Sequence, residues 1–271
     1  MPNTTDIKNA PIGVIDSGIG GITVLRELLR TCPTEHFVYI GDDANSPYGT
    51  RTAEDIQQLS LALIKHPKLA SSKALVVACN TITAAALDDI AQNYEGPVFG
   101  VIEPGIEEVL ATTKNNHVGI LATTATVESG VFDRALKSDN PDVEVTSVGA
   151  PKLHEFAENN LDLVLGAPTQ EIKECVVEHV APFIDAGCDT ILLACTHFPP
   201  YASLIRDIVG PDVNIIAPSV NTAKALRDTL QDLNLTNQSS ANQTHAHLNY
   251  EIISTAGDDE KFAKFSELLL K

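Results

Sequence analysis

Basic residues are scarce in this chain of 271 residues: 18 Lys and Arg stand against 36 Asp and Glu, a formal net charge of −18. A phosphate backbone must be neutralised by clustered cations, so nucleic acid is excluded as a partner. Long apolar runs are missing as well. No window approaches the roughly 18 to 20 consecutive apolar residues that a membrane span requires. The opening MPNTTDIKNAP lacks a basic segment followed by an apolar one, which argues against a signal peptide and reads as a short polar lead. Its shortness also disfavours an elaborate N-terminal regulatory segment. The cysteines Cys32, Cys79, Cys175, Cys188 and Cys195 are odd in number and contain no CxxC. That excludes a disulfide framework, gives little support to a structural zinc site, and fits free thiols in a reducing, cytoplasmic setting.

What is present is the balance of a globular protein, 44% hydrophobic and 20% charged. The length suits one large α/β domain or two smaller ones. Short apolar runs alternate with longer amphipathic stretches. Residues 12–16, 37–41, 74–79 and 98–102 read as buried parallel strands, with helical patterns at 21–30, 53–65 and 81–92 between them. A second series of strands follows at 117–122, 144–149, 190–195 and 213–218, with helices at 127–137, 169–186 and 200–209. Strands and helices alternating at this spacing imply right-handed βαβ units and doubly wound sheets. After them come a helix at 219–235, a polar loop at 237–247, and a final strand (250–255) and helix (259–270) expected to pack back on the first half.

The two series look like a duplication. Asp16 matches Ala122, Gly41 matches Gly149, Cys79 matches Cys195 and Pro104 matches Pro218, in the same order and at a nearly constant offset. The expected architecture is α/β: two pseudo-symmetric, doubly wound parallel-sheet domains with the active site in the cleft between them. The first lobe is assigned residues 10–104 plus 212–271, and the second residues 105–211.

Ligands of a parallel α/β sheet bind beyond the carboxyl ends of its strands. That rule selects Asp16-Ser17-Gly18-Ile19-Gly20-Gly21, Cys79-Asn80-Thr81, Ala122-Thr123-Thr124 and Cys195-Thr196-His197. Each is expected to open a helix whose first amides can hold a carboxylate. The spacing in DSGIGG is neither a dinucleotide fingerprint nor a P-loop, and Asp16 there is either a helix cap or a functional group beside Cys79. A lone cysteine at a strand end is usually a small buried hydrophobe. Two at equivalent strand ends of duplicated halves fit that poorly, whereas Cys32, Cys175 and Cys188 have no matched partners and are assigned to packing. A helix N-terminus lowers a thiol's pKa, so thiolate character is expected at both sites.

Pseudo-symmetry suggests inversion of a carbon centre. One proton must leave one face and another arrive at the opposite face, a task for two equivalent acid/base groups on facing lobes. Asn80, Thr81, Thr123 and Thr196 could donate hydrogen bonds to the α-carboxylate of a developing carbanion.

The motifs IDSGIGG (15–21), YIGDDANSPYG (39–49), ACNT (78–81), GVIEPG (100–105), LATTATV (121–127) and ACTHFP (194–199) resemble those of the glutamate racemases, within the aspartate/glutamate racemase superfamily. They span most of residues 12–200. The resemblance implies a cofactor-independent proton transfer between L- and D-glutamate that supplies peptidoglycan synthesis, by a cytoplasmic homodimer. It implies that Cys79 and Cys195 are the catalytic pair, with Asp16 assisting the first thiol and Glu158 and His197 the second. It implies substrate contacts from Asp16, Ser17, Pro47, Tyr48, Gly49, Asn80, Thr81, Thr123, Thr196 and His197. The chain departs from the family's pattern at Asn45 and Ser46, where basic or apolar residues are commoner, and at Ala150, where a cysteine often precedes the proline. Neither departure touches the implied proton-transfer groups.

No PLP lysine motif or metal cluster stands out, so neither a cofactor nor a metal is expected. His245 and His247 read as solvated loop residues. Three alternatives remain open: a racemase of aspartate or another amino acid, a single-cysteine decarboxylase, which the second cysteine argues against, and a non-catalytic binder of acidic amino acids, which would not need both thiols.

Overall fold

The computed structural model describes residues 4–237 and 249–270. His245, His247 and all but the first residue of the 237–247 loop lie outside the described residues. The polar lead contains a short helix, α1 (Thr4–Asn9). The first series then runs β1 (Ile12–Asp16), α2 (Ile22–Thr31), β2 (Phe37–Gly41), α3 (Ala53–Leu63), β3 (Ala74–Val77), α4 (Asn80–Asn93), β4 (Val98–Phe99) and α5 (Ile102–Thr112). The second runs β5 (His117–Ala122), α6 (Thr124–Ser129), α7 (Val131–Asp139), β6 (Glu144–Gly149), α8 (Pro151–Leu165), α9 (Gln170–Asp185), β7 (Thr190–Ala194), α10 (Ala202–Val209) and β8 (Asn214–Ile216). The chain closes with α11 (Ser219–Asp232), β9 (Tyr250–Ser254) and α12 (Asp259–Leu269).

All pairings are parallel. One sheet has the order β4-β3-β1-β2-β9 and the other β6-β5-β7-β8. Read from the opposite edge, the second is β8-β7-β5-β6, the order of the first four strands of the first sheet. The duplication therefore holds as topology, and the α/β class with two parallel sheets is as expected. Every residue of β1, β2, β3 and β7 is buried. Helices cover both faces of such strands, which is why they read as continuous apolar runs without alternation. The helices bury one stripe each; in α4, Ile82, Ala86 and Ile90 recur at four-residue spacing and pack with β3 residues Leu75 and Val77.

The sequence boundaries need correction at three places. β8 is hydrogen-bonded to β7, from Thr190 opposite Asn214 to Leu192 opposite Ile216. It belongs to the second sheet, not to the first lobe as a boundary at 212 requires. The 104/105 boundary falls inside α5, whose Ile102, Ile106 and Val109 pack with Val118, Ile120 and Ile216 of the second sheet. The helix expected at 127–137 is two helices, because Gly130 takes a left-handed conformation (φ 62°) that ends α6. The return to the first lobe is made by α11 and α12, whose Ala223, Leu226, Phe262 and Phe265 share a core with Val14 and Tyr39. β9 completes the first sheet beside β2.

A buried ion pair ties this discontinuous lobe together. Lys73 and Glu35 are almost fully buried, with Nζ 2.5 Å from Oε2. The same ammonium donates to the carbonyls of Lys8 (2.6 Å) and Leu235 (2.9 Å), and Glu35 Oε1 accepts from the Asn237 amide at 2.8 Å. The pair thus pins α1 and the segment after α11 to the sheet. Removing one member of such a pair leaves an uncompensated buried charge. Lys73→Met is expected to lower the unfolding free energy by about 3–5 kcal/mol, as measured by urea titration. The double change Lys73→Met/Glu35→Leu should cost less than the single one; a single change with no effect on the midpoint would show that the pair is not needed.

Candidate active site

The chosen strand ends come together where the carboxyl edges of the two sheets meet. β1 delivers Asp16 and Ser17, and the loop after it is held by Tyr39, whose hydroxyl donates to the Gly18 carbonyl at 2.6 Å. Asp16 has no exposed surface. Its Oδ1 accepts from the Gly18 amide (3.0 Å) and its Oδ2 from the Thr196 hydroxyl of the other lobe (3.2 Å). It does not cap α2, whose N-terminal cap is Gly21. Thr23 of α2 also crosses the interface, donating to the Thr196 carbonyl at 3.1 Å. Among the glycines of DSGIGG, Gly20 serves this approach. A Cβ on Gly20 would lie 2.5 Å from the His197 ring, so a larger residue there would push the lobes apart.

Cys79 is the N-terminal cap residue of α4, is 5% exposed, and has its sulfur 3.5 Å from Ser17 Oγ. Cys195 follows β7 and is equally buried, with its sulfur 4.0 Å from His197 Nδ1. It does not sit at an α-helix N-terminus as expected; a 3-10 turn at Pro199–Tyr201 precedes α10. The other ring nitrogen of His197, Nε2, lies 2.6 Å from Glu158 Oε2, and Glu158 Oε1 accepts from Lys261 Nζ at 2.5 Å. Thr81 and Thr123 bridge the lobes between their hydroxyls at 3.0 Å, with Thr126 joining the cluster. Asn80 is buried, and its Oδ1 has no hydrogen-bond partner among the described residues. Tyr48 donates to Asp42 Oδ2 at 2.5 Å.

A cleft of about 540 Å³ opens beside this cluster, lined in part by Pro47, Gly49, Thr123, His154, Glu158 and Lys261. The two thiols are not on its wall. Glu158 leads from the wall through His197 to Cys195, and Thr123 leads through Thr81 to the start of α4.

The Asp/Glu/hydantoin racemase family model matches residues 12–226. The chain belongs to the Asp/Glu/hydantoin racemase family. A glutamate racemase of Oceanobacillus iheyensis is 36% identical over 261 residues, covering 96% of this chain and 91% of that protein. The crystal structure of the glutamate racemase isoform RacE1 of Bacillus anthracis superimposes with a TM-score of 0.87 at 34% identity, covering 97% of this chain and 94% of the other. That of the Francisella tularensis glutamate racemase, in complex with D-glutamate, gives 0.85 at 31% identity over the same shares. The protein is thus an amino-acid racemase.

Electrostatics in this racemase move Cys79, His197 and Glu158 away from their ordinary values. Burial pushes the Cys79 thiol up to about 12, with Asp16 adding to the rise and hydrogen bonds from Ser17 and the Ile82 amide only partly opposing it. The thiolate expected from the helix N-terminus is therefore corrected at Cys79: desolvation outweighs the helix end, and the resting group is a thiol. Burial also opposes charge on His197, but its contacts with Cys195 and Glu158 outweigh that and raise it to about 10. Burial alone would raise Glu158; the hydrogen bonds and charges of His197 and Lys261 bring it to about 2 instead. His197 and Glu158 are therefore an ion pair at neutral pH.

Two residues of the cleft wall, His154 and Lys261, were not singled out by sequence. His154 stands four positions before Glu158 on α8, a spacing that puts both on one helix face. Lys261 carries no such signal, because the C-terminal strand pairing that brings α12 to the cleft is invisible in local sequence. Cys32, Cys175 and Cys188 lie buried in the cores, and all five cysteines are free thiols.

Burial raises Asp16 to about 6, against which His197 and the Gly18 amide act only partly. Between about pH 4 and 6 the folded protein therefore keeps a proton that the unfolded chain has released. The resulting stability is complete below about pH 4 and lost as pH rises through 6, up to about 3 kcal/mol. Asp16→Asn stays neutral and should be more stable than the parent by up to about that amount at about pH 8, with the gap narrowing as pH falls to 4. Urea unfolding across this range checks it; a gap independent of pH would refute the buried-carboxylate account.

Proposed function

We propose that the protein interconverts L- and D-glutamate by two-base proton transfer between Cys79 and Cys195, without a cofactor. The observation that carries this reading is the placement of the thiols: buried cysteines at the carboxyl ends of topologically equivalent strands, β3 and β7, in lobes bound to each other through Asp16–Thr196 and Thr81–Thr123. One sulfur, as thiolate, takes the α-hydrogen as a proton. The carbanion pair of electrons is then protonated on the opposite face by the other sulfur's S–H, and the two exchange roles in the reverse direction.

The two sulfurs have different surroundings. Cys79 holds its proton until the reaction demands it, and Asp16, with a carboxyl near 6, is electrostatically coupled to it. Cys195 faces the positively charged ring of His197, which Glu158 and Lys261 hold in place. Asn80 Oδ1 is a buried acceptor suited to a substrate ammonium, and the hydroxyls of Thr81, Thr123 and Thr196 are donors for the α-carboxylate. Ser17, Pro47, Tyr48 and Gly49 complete the binding surface in this reading.

Glutamate is preferred to aspartate because the similar proteins described above are glutamate racemases. Their names also support a supply of D-glutamate to peptidoglycan synthesis; a cytoplasmic homodimer rests on the family resemblance and the free thiols alone. Among the described residues no helix is long and apolar enough to cross a membrane, and the free thiols fit a reducing compartment.

Circular dichroism of L-glutamate incubated with the protein should decay without added cofactor, and that of L-aspartate should not. In deuterium oxide the D-glutamate formed should carry deuterium at Cα. Cys79→Ala and Cys195→Ala should each slow racemisation by at least about 1,000-fold. Either variant keeping a rate within tenfold of the parent would sink the two-base mechanism, and an unchanged L-glutamate signal would leave only a binding role.

A further inference from the structure

His154, Glu158 and His197 form a group that the proton-transfer scheme only partly uses. One potential ligand atom from each lies within 4.8 Å of the other two. His154 and Glu158 share a face of α8 at the i, i+4 spacing, and the His154 ring packs against that of His197, with centroids 4.0 Å apart and planes tilted by 44°. Neither nitrogen of His154 has a hydrogen-bond partner among the described residues, and the residue is half-buried on the wall of the cleft. Lys261 occupies Glu158 Oε1 and leaves Oε2 toward the two rings. Two imidazoles and one carboxylate, converging on a cleft that supplies water as a fourth ligand, are the donor set of a tetrahedral zinc site.

We propose that this cluster is an inhibitory site for zinc or a similar borderline divalent metal, held by His154, Glu158 and His197. A tetrahedral ion with bonds near 2.0–2.2 Å needs its ligand atoms about 3.3 Å apart. The His197–Glu158 contact must open by less than about 1 Å and the remaining pairs close by at most about 1.5 Å, within reach of side-chain rotation on a fixed backbone. The ion takes the place of the direct His197–Glu158 hydrogen bond, and the proton on that ring nitrogen is released to solvent as the nitrogen becomes a ligand. It also fills the wall of the cleft beside Thr123 and Lys261. Metal binding itself rests on this geometry alone; only its inhibitory effect rests on the proposed racemisation.

The test uses the full-length protein stripped with a chelator, and Co²⁺ as a spectroscopic substitute. Co²⁺ should bind one per chain with visible d–d absorption and without the near-ultraviolet charge-transfer band of a cobalt–thiolate bond. The doubly substituted Cys79→Ser/Cys195→Ser protein should bind it equally well. His154→Val should weaken Co²⁺ binding at least tenfold, and the Zn²⁺ concentration halving glutamate racemisation, relative to each protein's own metal-free rate, should rise by the same factor. His154→Gln, which keeps a polar side chain of similar size, should behave like His154→Val; circular dichroism confirms that each variant is folded. A thiolate band, loss of binding in the double cysteine variant, equal Zn²⁺ sensitivity of both His154 variants and the parent, or no bound Co²⁺ would each overturn the assignment. If racemisation itself is absent, the cobalt spectrum still decides the site.

Discussion

Asp16 is the group on which the meeting of the two lobes depends. A carboxyl with no exposed surface needs its oxygens bound, and here they are bound from different lobes, by the Gly18 amide and the Thr196 hydroxyl. The loop that carries it can lie against the second lobe only because glycine occupies position 20, where a side chain would strike His197. Tyr39 and Thr23 fix the two sides of the same contact. The sheets deliver their carboxyl edges to this point, and Cys79 and Cys195, each one residue or two beyond a central strand, arrive with them.

The halves are alike in topology and unlike in charge. Equivalent strand ends carry Asp16 in one lobe and Ala122 in the other, so the first thiol has a carboxyl near it and the second must find its titratable neighbours elsewhere. It finds His197 two residues along its own loop, and through it Glu158 on α8. A reversible proton transfer needs two equivalent positions, but it does not need two identical environments. The two sulfurs accordingly differ in their neighbours, a buried carboxyl beside Cys79 and a cationic ring beside Cys195.

Much of this was legible in the sequence because parallel strands buried on both faces leave long apolar runs: β1 and β2, buried throughout, have the bounds expected from pattern alone. The matched cysteines and the strand-end motifs were legible for the same reason, since the end of a buried run marks the place where ligands bind. Three-residue β8 was assigned to the wrong lobe because NII has no local feature that selects one sheet over another; Ile216 packs with α5 and the second sheet, which only the assembled fold shows. The protonation of Cys79 was misread because a helix N-terminus is a sequence feature, whereas the desolvation that overrides it is a property of the assembled lobes. His154 was legible as spacing, and became meaningful only when His197 arrived beside it from 43 positions away.

The C-terminal segment has a larger part than an appended strand and helix would suggest. β9 extends the first sheet, and α12 covers it through Phe262 and Phe265. From the same helix Lys261 reaches the second lobe and holds Glu158, which in turn holds the ring facing Cys195. Two charged hydrogen bonds, Lys261–Glu158 and Glu158–His197, each stronger than a neutral one, thus lead from α12 to a ring 4.0 Å from the sulfur. Both thiols are nearly sealed from solvent while the cleft stops at Glu158 and Thr123. Between that cleft and the sulfurs stand side chains that join the lobes, Thr81–Thr123 and His197–Glu158–Lys261.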